Sequence, residues 1–193
     1  FNLTARIRFK QKYVDRPDMN YILGSKYPTI VFNYTKGINK IAGSDVDFDR
    51  IEAGLEDRIR LGMFGTLNYY GVFGTFLNTK EMYFMDFTHF NGNQTIFSGF
   101  ESKRFDLLEY YDFSTADEYI QVFAEHEFGG FILNKIPLIR KLKLNEIAGF
   151  RYLHIPSVID HYEFSFGLEK LGIIRADFVM SLARMSKYKT KGY

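Results

Sequence analysis

The sequence predicts an all-β fold, an antiparallel transmembrane β-barrel to which residues 1–193 contribute about eight strands as a single segment. Three observations predict it. Apolar and polar side chains alternate with period two through most of the chain, the pattern of a strand with two unlike faces. The chain holds 21 Phe and 14 Tyr, 18% aromatic residues with no Trp, and such side chains favour a pleated, half-buried surface. No run of about 18 apolar residues is present, so no helix is predicted to cross a membrane, whereas a tilted barrel strand crosses with roughly 9–11 half-apolar residues.

The strands follow in order. Leu3, Ala5, Ile7 and Phe9 alternate with Thr4, Arg6, Arg8 and Lys10. Residues 29–35 alternate more weakly, with Ile30, Phe32 and Tyr34 on the apolar face. Ile51, Ala53, Leu55, Ile59 and Leu61 oppose Glu52, Glu56, Arg58 and Arg60; Asp57 falls on the apolar face, a mark of a bulge or a strand end at the headgroups. Leu67, Tyr69, Phe73 and Leu77 share a face with Gly71. Ile120, Val122, Ala124 and Phe128 oppose Gln121, Glu125 and Glu127. Residues 144–155 read as a strand without assignable faces. Tyr162, Phe164, Phe166 and Leu168 alternate with Glu163, Ser165, Gly167 and Glu169, and Ala176, Phe178, Met180 and Leu182 with Arg175, Asp177 and Ser181. Phe1 already stands in an alternating segment with no initiator Met before it and no signal peptide, so a longer parent chain is expected.

Alternation alone does not say which face is inside. A soluble ligand-binding barrel of the lipocalin type turns its apolar face inward; a membrane barrel turns it outward and keeps charges in a wet lumen. The dense mixed charge on the polar faces favours the membrane. So does the asymmetry of the connections, a long 78–118 loop at one end against tight turns at 62–64 and 170–173 at the other. That asymmetry is broken by 14–28 and 129–143, both at the short-turn end. Residues 131–143, FILNKIPLIRKLK, interleave apolar side chains with Lys135, Arg140, Lys141 and Lys143. This reads either as an interfacial element at the headgroups or as a long turn closing the barrel floor.

Composition and motifs limit the function. A net charge of +2 without a basic block excludes a nucleic-acid footprint. The absence of Cys excludes disulfides and thiolate metal sites. No HExxH, GxSxG or phosphate-binding glycine loop occurs. In Glu125-His126-Glu127 the two carboxylates share a face that His126 cannot join, which argues against a metal site. No catalytic constellation converges, so neither an enzyme nor a cofactor is expected. Connections as long as 78–118 are usually functional or disordered. Its segment from His89 to Phe100 is rich in amides, glycines and aromatics. It reads as a loop folded into the barrel, the other reading being a surface loop with Asn-Gly turns.

At this point LGSKYPTIVFNYTKGI (23–38), GSDVDFDR (43–50), FGTFLNTK (73–80), HFNGNQTIF (89–97), YYDFSTADEY (110–119), EHEFGGFILNKIPLIRKLK (125–143) and GIIRADFVMSL (172–182) carry a resemblance. The chain resembles the C-terminal barrel, of unknown function, in a family of Gram-negative outer-membrane proteins with an upstream carboxypeptidase-regulatory-like domain. That barrel is similar to the BamA and TamA type of surface-antigen barrel. The resemblance implies a sixteen-stranded barrel, of which this chain is the C-terminal half, and no peptidase activity. In BamA-type proteins the sixth external loop carries a glycine-rich run and an Arg-Gly-aromatic motif that enters the lumen. Asn91-Gly92-Asn93 and Ser98-Gly99-Phe100 stand in for these, with Ser98 in place of the arginine.

The expected role is therefore structural, translocating or assembling, in the bacterial outer membrane, with lipid and other envelope proteins as partners. Phe164, Phe166, Leu168, Phe178 and Met180 are expected to face lipid. Arg6, Arg8, Glu52, Glu56, Arg58, Arg60, Glu125, Glu127, Glu163 and Asp177 are expected in the lumen, paired across strands or wet. His89, Asn91, Gly92, Asn93, Gly99 and Phe100 are the plug candidates, with Phe97 or Phe100 on the wall and Glu125 accepting amide hydrogen bonds. On these faces Phe166→Arg would block bilayer folding and Ser165→Arg would be tolerated. Deleting 89–100 would raise single-channel conductance.

Overall fold

The computed structural model describes residues 1–15, 19–40, 43–92, 103–137, 139–156, 160–170 and 172–184. The described residues form ten strands: β1 (Asn2–Ile7), β2 (Gln11–Asp15), β3 (Asn20–Ser25), β4 (Thr29–Gly37), β5 (Asp47–Arg60), β6 (Thr66–Glu81), β7 (Tyr119–Glu127), β8 (Leu144–His154), β9 (Asp160–Lys170) and β10 (Ile174–Arg184). Eight form one sheet in the order β1-β4-β5-β6-β7-β8-β9-β10, and β2 and β3 form a separate hairpin. Every pairing in the large sheet is antiparallel. Among the described residues there is no α-helix, only short 3₁₀ turns. Strands β1 and β10 are the two edges. The fold shown is thus all-β and antiparallel, and among the described residues the sheet is open.

The hairpin lies mostly where the sequence reading has a plain connection, 14–28; its first residues, Gln11 to Tyr13, fall where that reading still has the first strand, which in the structure ends at Ile7. Its strands have five and six residues, too short and too polar for period two to stand out. The long connection begins after Glu81 and ends before Tyr119, so β6 runs on to Glu81 where the alternation has the connection start at residue 78. Asp57 marks no bulge: it stands in regular register opposite Tyr69, near the end of β5, and the register shifts of this pair fall at Asp47–Arg50.

The registers align side chains into rows that cross the sheet. One row runs Thr29, Glu56, Tyr70, Phe123, Arg151 and Glu163. One residue out of phase, Ala124, Phe150, Phe164 and Met180 form a row on the opposite face. The first face carries charges, glycines and the buried core; it is the covered face. The second is the bare face, where Leu55, Phe73, Phe166 and Phe178 are all exposed, Phe166 at 68% and Phe178 at 73%. The registers also assign β8: Ile147, Gly149, Arg151 and Leu153 share the covered face.

Two cross-strand pairs show why glycine recurs on the covered face. Gly37 lies opposite Phe48 and Gly74 opposite Tyr119. A Cβ at Gly37 would fall 2.6 Å from the Phe48 ring, and one at Gly74 2.2 Å from the Tyr119 ring. Each ring lies flat over a neighbouring glycine, filling the space where a side chain would stand. At the turn between β5 and β6, Gly65 has φ 92°, and a Cβ there would meet the Glu127 carbonyl at 1.9 Å.

Gly74→Val is expected to displace Tyr119 and destabilise the sheet by roughly 1–3 kcal/mol. The midpoint of unfolding in denaturant, in detergent, should fall accordingly; an unchanged midpoint would show that the ring does not need the glycine.

Candidate functional site

The covered face gathers the polar chemistry of the chain, and the β6–β7 connection folds back onto it. Thr88 and Thr115 exchange backbone hydrogen bonds of 2.9 and 3.1 Å, closing the neck of the loop. Beyond this neck the Phe105 amide donates to the Asn91 carbonyl at 2.9 Å. A Cβ on Gly92 would meet the Leu108 carbonyl at 2.3 Å, so only glycine admits this crossing. The loop then delivers Phe90, Phe105 and Leu108 into one buried cluster with Tyr119, Phe123, Leu153 and Ile155. Phe105 packs on Phe123 at 4.9 Å between ring centroids and edge-on against His161 at 5.7 Å. The buried apolar cluster of the described residues therefore lies on the charged face, beneath a loop.

What holds the loop is a single carboxylate. Glu163 is fully buried. Its two oxygens accept the Asp106 amide at 2.7 Å and the Leu107 amide at 2.9 Å. His161 Nε2 lies 2.8 Å from the same carboxylate. A buried charge survives only when hydrogen-bonded or paired, and here the loop backbone supplies the donors. Arg151 completes the joint: Nη2 meets Asp106 at 2.7 Å, and Nη1 donates to Ser165 Oγ at 3.2 Å. Burial raises the Asp106 carboxyl above its usual range, against the pull of the Arg151 guanidinium.

Further along the face, Glu52 accepts from the Tyr119 hydroxyl and from Asn33 Nδ2 (3.1 Å), with Arg50 Nε 3.8 Å away. Arg50 also donates to Thr88 Oγ1 at 3.1 Å, tying the loop neck to β5. Glu56 pairs with Lys103 of the loop at 2.5 Å. Arg175 joins Glu125 at 2.8 Å and Asp177 at 2.7 Å. Asn68 donates to Glu127 at 2.9 Å, and Arg58 approaches it at 3.7 Å. A cavity of about 390 Å³ remains between the loop and the hairpin, bordered by Arg8, Tyr27, Glu56, Tyr70, Lys103 and Glu125.

Of the ten charges expected in the lumen, Glu52, Glu56, Arg58, Glu125, Glu127, Glu163 and Asp177 thus meet partners on the covered face. Arg6, Arg8 and Arg60 have its phase but lie exposed towards the β1 edge or the β5 end, with no ion pair to a described residue. Phe164, Phe166, Leu168, Phe178 and Met180 are exposed on the bare face. Of the plug candidates, His89 bonds Ser114 Oγ at 2.7 Å and Asn91 and Gly92 form the crossing. Asn93, Gly99 and Phe100, like Phe97 and Ser98, lie outside the described residues. Among the described residues Glu125 pairs with Arg175, and Glu163 is the carboxylate that accepts loop amides; Asn93 and Gln94, the amides expected on Glu125, lie outside the described residues. One expectation needs correction. Ser165 does not admit arginine, because it is fully buried under Arg151 and its hydroxyl fills the space beside Gly149.

Sequence reasoning missed Arg151, His161, Arg104 and Phe105. Arg151 and His161 stand where β8 had no assignable faces and where β9 begins. Arg104-Phe105 is an arginine followed by an aromatic, but without the intervening glycine and six residues beyond Ser98. His126 instead donates to the Phe64 carbonyl at 2.8 Å and stacks on Phe128. No cluster of metal-ligating side chains occurs among the described residues.

This architecture defines an all-β class: a wide antiparallel sheet with one apolar bare face and one charged face sealed by its own loop. Residues 1–168 match the C-terminal domain of a family of unknown function, DUF5686, and the chain belongs to that family. It matches no curated protein and no solved structure.

Glu163→Ala removes the acceptor of two buried amides and is expected to weaken loop docking by roughly 2–5 kcal/mol. Trypsin should then cut after Lys103 or Arg104 while the sheet stays folded. Persistent resistance at those bonds would refute the role given to Glu163.

Proposed function

We propose that this chain is a segment of a bacterial outer-membrane β-barrel with a structural, translocating or assembling role and no catalysis. One observation carries the reading: the apolar face is bare, while the charged face is covered. Transferring a large apolar side chain out of water is worth about 1.5–3 kcal/mol, and a soluble barrel would spend its alternation that way round. Here Leu3, Ile7, Phe32, Leu55, Phe73 and Phe178, drawn from five strands, are all exposed on one face. Contiguous apolar surface on that scale marks an interaction site, and a sheet of strands 9 to 16 residues long, β1 apart, suits a bilayer. Edges at β1 and β10 fit a barrel completed by further strands, as in the sixteen-stranded BamA-like and TamA-like surface-antigen barrels. An upstream carboxypeptidase-regulatory-like domain belongs to the same reading. The loop on the covered face would then plug the lumen against an aqueous leak.

Phe166 sits mid-strand, opposite Phe178 and Ala148. Phe166→Arg should cost roughly 2–4 kcal/mol in a bilayer and prevent folding into vesicles. Thr29→Arg, on the covered face opposite Glu56, should fold normally by the shift in heat-modifiable gel mobility. Equal tolerance would show the faces are reversed, and a full-length protein monodisperse without detergent would exclude the membrane. Glu163→Ala should also raise single-channel conductance in planar bilayers; an unchanged conductance would exclude the plug.

A further inference from the structure

Residues 128–143, which join β7 to β8, hold four cations, Lys135, Arg140, Lys141 and Lys143, and no acidic residue. Two 3₁₀ turns, Leu133–Lys135 and Ile139–Leu142, shape the segment. Its place is fixed by a bare-face residue. Glu146 lies opposite Leu168, in phase with Ala148 and Phe150, and its carboxylate accepts the Leu133 amide. The Phe131 ring packs on Phe64 at 5.1 Å, and the Phe64 carbonyl is held by bare-face His126. The segment is therefore fastened to the rim of the bare face and not drawn across the covered one. Ile132, Ile136 and Leu142 are exposed, as are Leu61, Met63 and Phe64 of the turn on which Phe131 packs. Lys135 Nζ rests over the Phe131 ring at 4.1 Å, and none of the four cations makes an ion pair with a described residue.

We propose that this rim is a binding surface for anionic phospholipid headgroups, in the leaflet at the short-connection end of the sheet. The inference rests on the membrane reading above. Apolar side chains at the edge of a lipid-facing surface enter the acyl boundary, and the interleaved cations then stand at phosphate level. Four unneutralised cations with no carboxylate among them complement an anionic surface, not a zwitterionic one. Glu146 serves as the hitch: its hydrogen bond to a turn amide keeps the segment on the lipid side.

The test is spin-label electron resonance on the full-length protein reconstituted in phosphatidylcholine, with trace spin-labelled phosphatidylglycerol or phosphatidylcholine. The protein should hold phosphatidylglycerol in the motionally restricted shell with a severalfold preference. That preference should fall towards unity in the K135Q/R140Q/K141Q/K143Q variant and, for the unaltered protein, on raising the salt. Salt dependence reads the charges even if the variant folds poorly. Glu146→Ala keeps all four cations and should also lower the preference. A native protein with no preference, or one indifferent to salt and to the four substitutions, overturns the proposal and leaves the basic rim to an acidic protein partner. Absence of any restricted lipid, of either headgroup, overturns the membrane reading itself.

Discussion

A carboxylate with no exposure at all must be surrounded by donors, and Glu163 meets that constraint with the backbone of a distant loop. The consequence runs outward from there. Two consecutive amides, Asp106 and Leu107, are pinned to one point, so the chain on either side of them is fixed in direction. Phe105 then turns into the cleft between Phe123 and His161, and Leu108 is carried beneath Gly92. Asp106, held by its own amide, presents its carboxylate to Arg151. The joint unites strands β8 and β9 with a loop that begins more than 40 residues earlier.

The same constraint explains why the molecule is inverted. A sheet whose covered face must satisfy Glu52, Glu125, Glu163 and Arg151 cannot use that face for a plain apolar core. Its buried aromatic cluster exists only because the loop brings Phe90, Phe105 and Leu108 to it. Rings that belong to the sheet itself, Phe48 and Tyr119, are laid over glycines, which keeps the surface shallow enough for the loop to approach. The other face has no such partner among the described residues, and its aromatic and aliphatic residues stay exposed.

Most of the sheet was legible in the sequence because period two is a local signal. Phe164 to Leu168 and Ile120 to Ala124 declare their faces without reference to any neighbour. The hairpin β2–β3 was not legible, since five-residue strands carry too few alternations to rise above a loop. Strand β8 was legible as a strand but not by face: Ile147 and Leu153 share a side with Arg151, so hydropathy along it does not alternate. The site failed for the same reason. Glu163 was placed on its face by period two, but its partners are backbone amides, which every residue possesses and no sequence pattern advertises. Glu125 looked equivalent to Glu163 in composition and phase. Only the reach of Arg175 from the edge strand, over a sheet where Gly167 makes room for Asp177, separates a carboxylate already paired from one left for the loop.

The segment 131–143 shows how a register tells which face of the sheet a connection is tied to, which composition leaves open. Interleaved Lys and Ile suit a headgroup-level element and a barrel floor equally well, because both are amphipathic. What differs is which face of the sheet the segment is tied to. A floor must hang from covered-face residues, of odd number on β7 and β8, whereas a rim element must hang from even ones. Glu146 binds the segment directly, and His126 holds the carbonyl of Phe64, on whose ring Phe131 packs; both are even. A carboxylate among the apolar side chains Leu144, Ala148 and Phe150 would be a costly flaw if left alone, and binding a turn amide gives it a partner. Glu146, a carboxylate beside Leu144, Ala148 and Phe150 on one face of β8, is thus the residue that positions the basic segment.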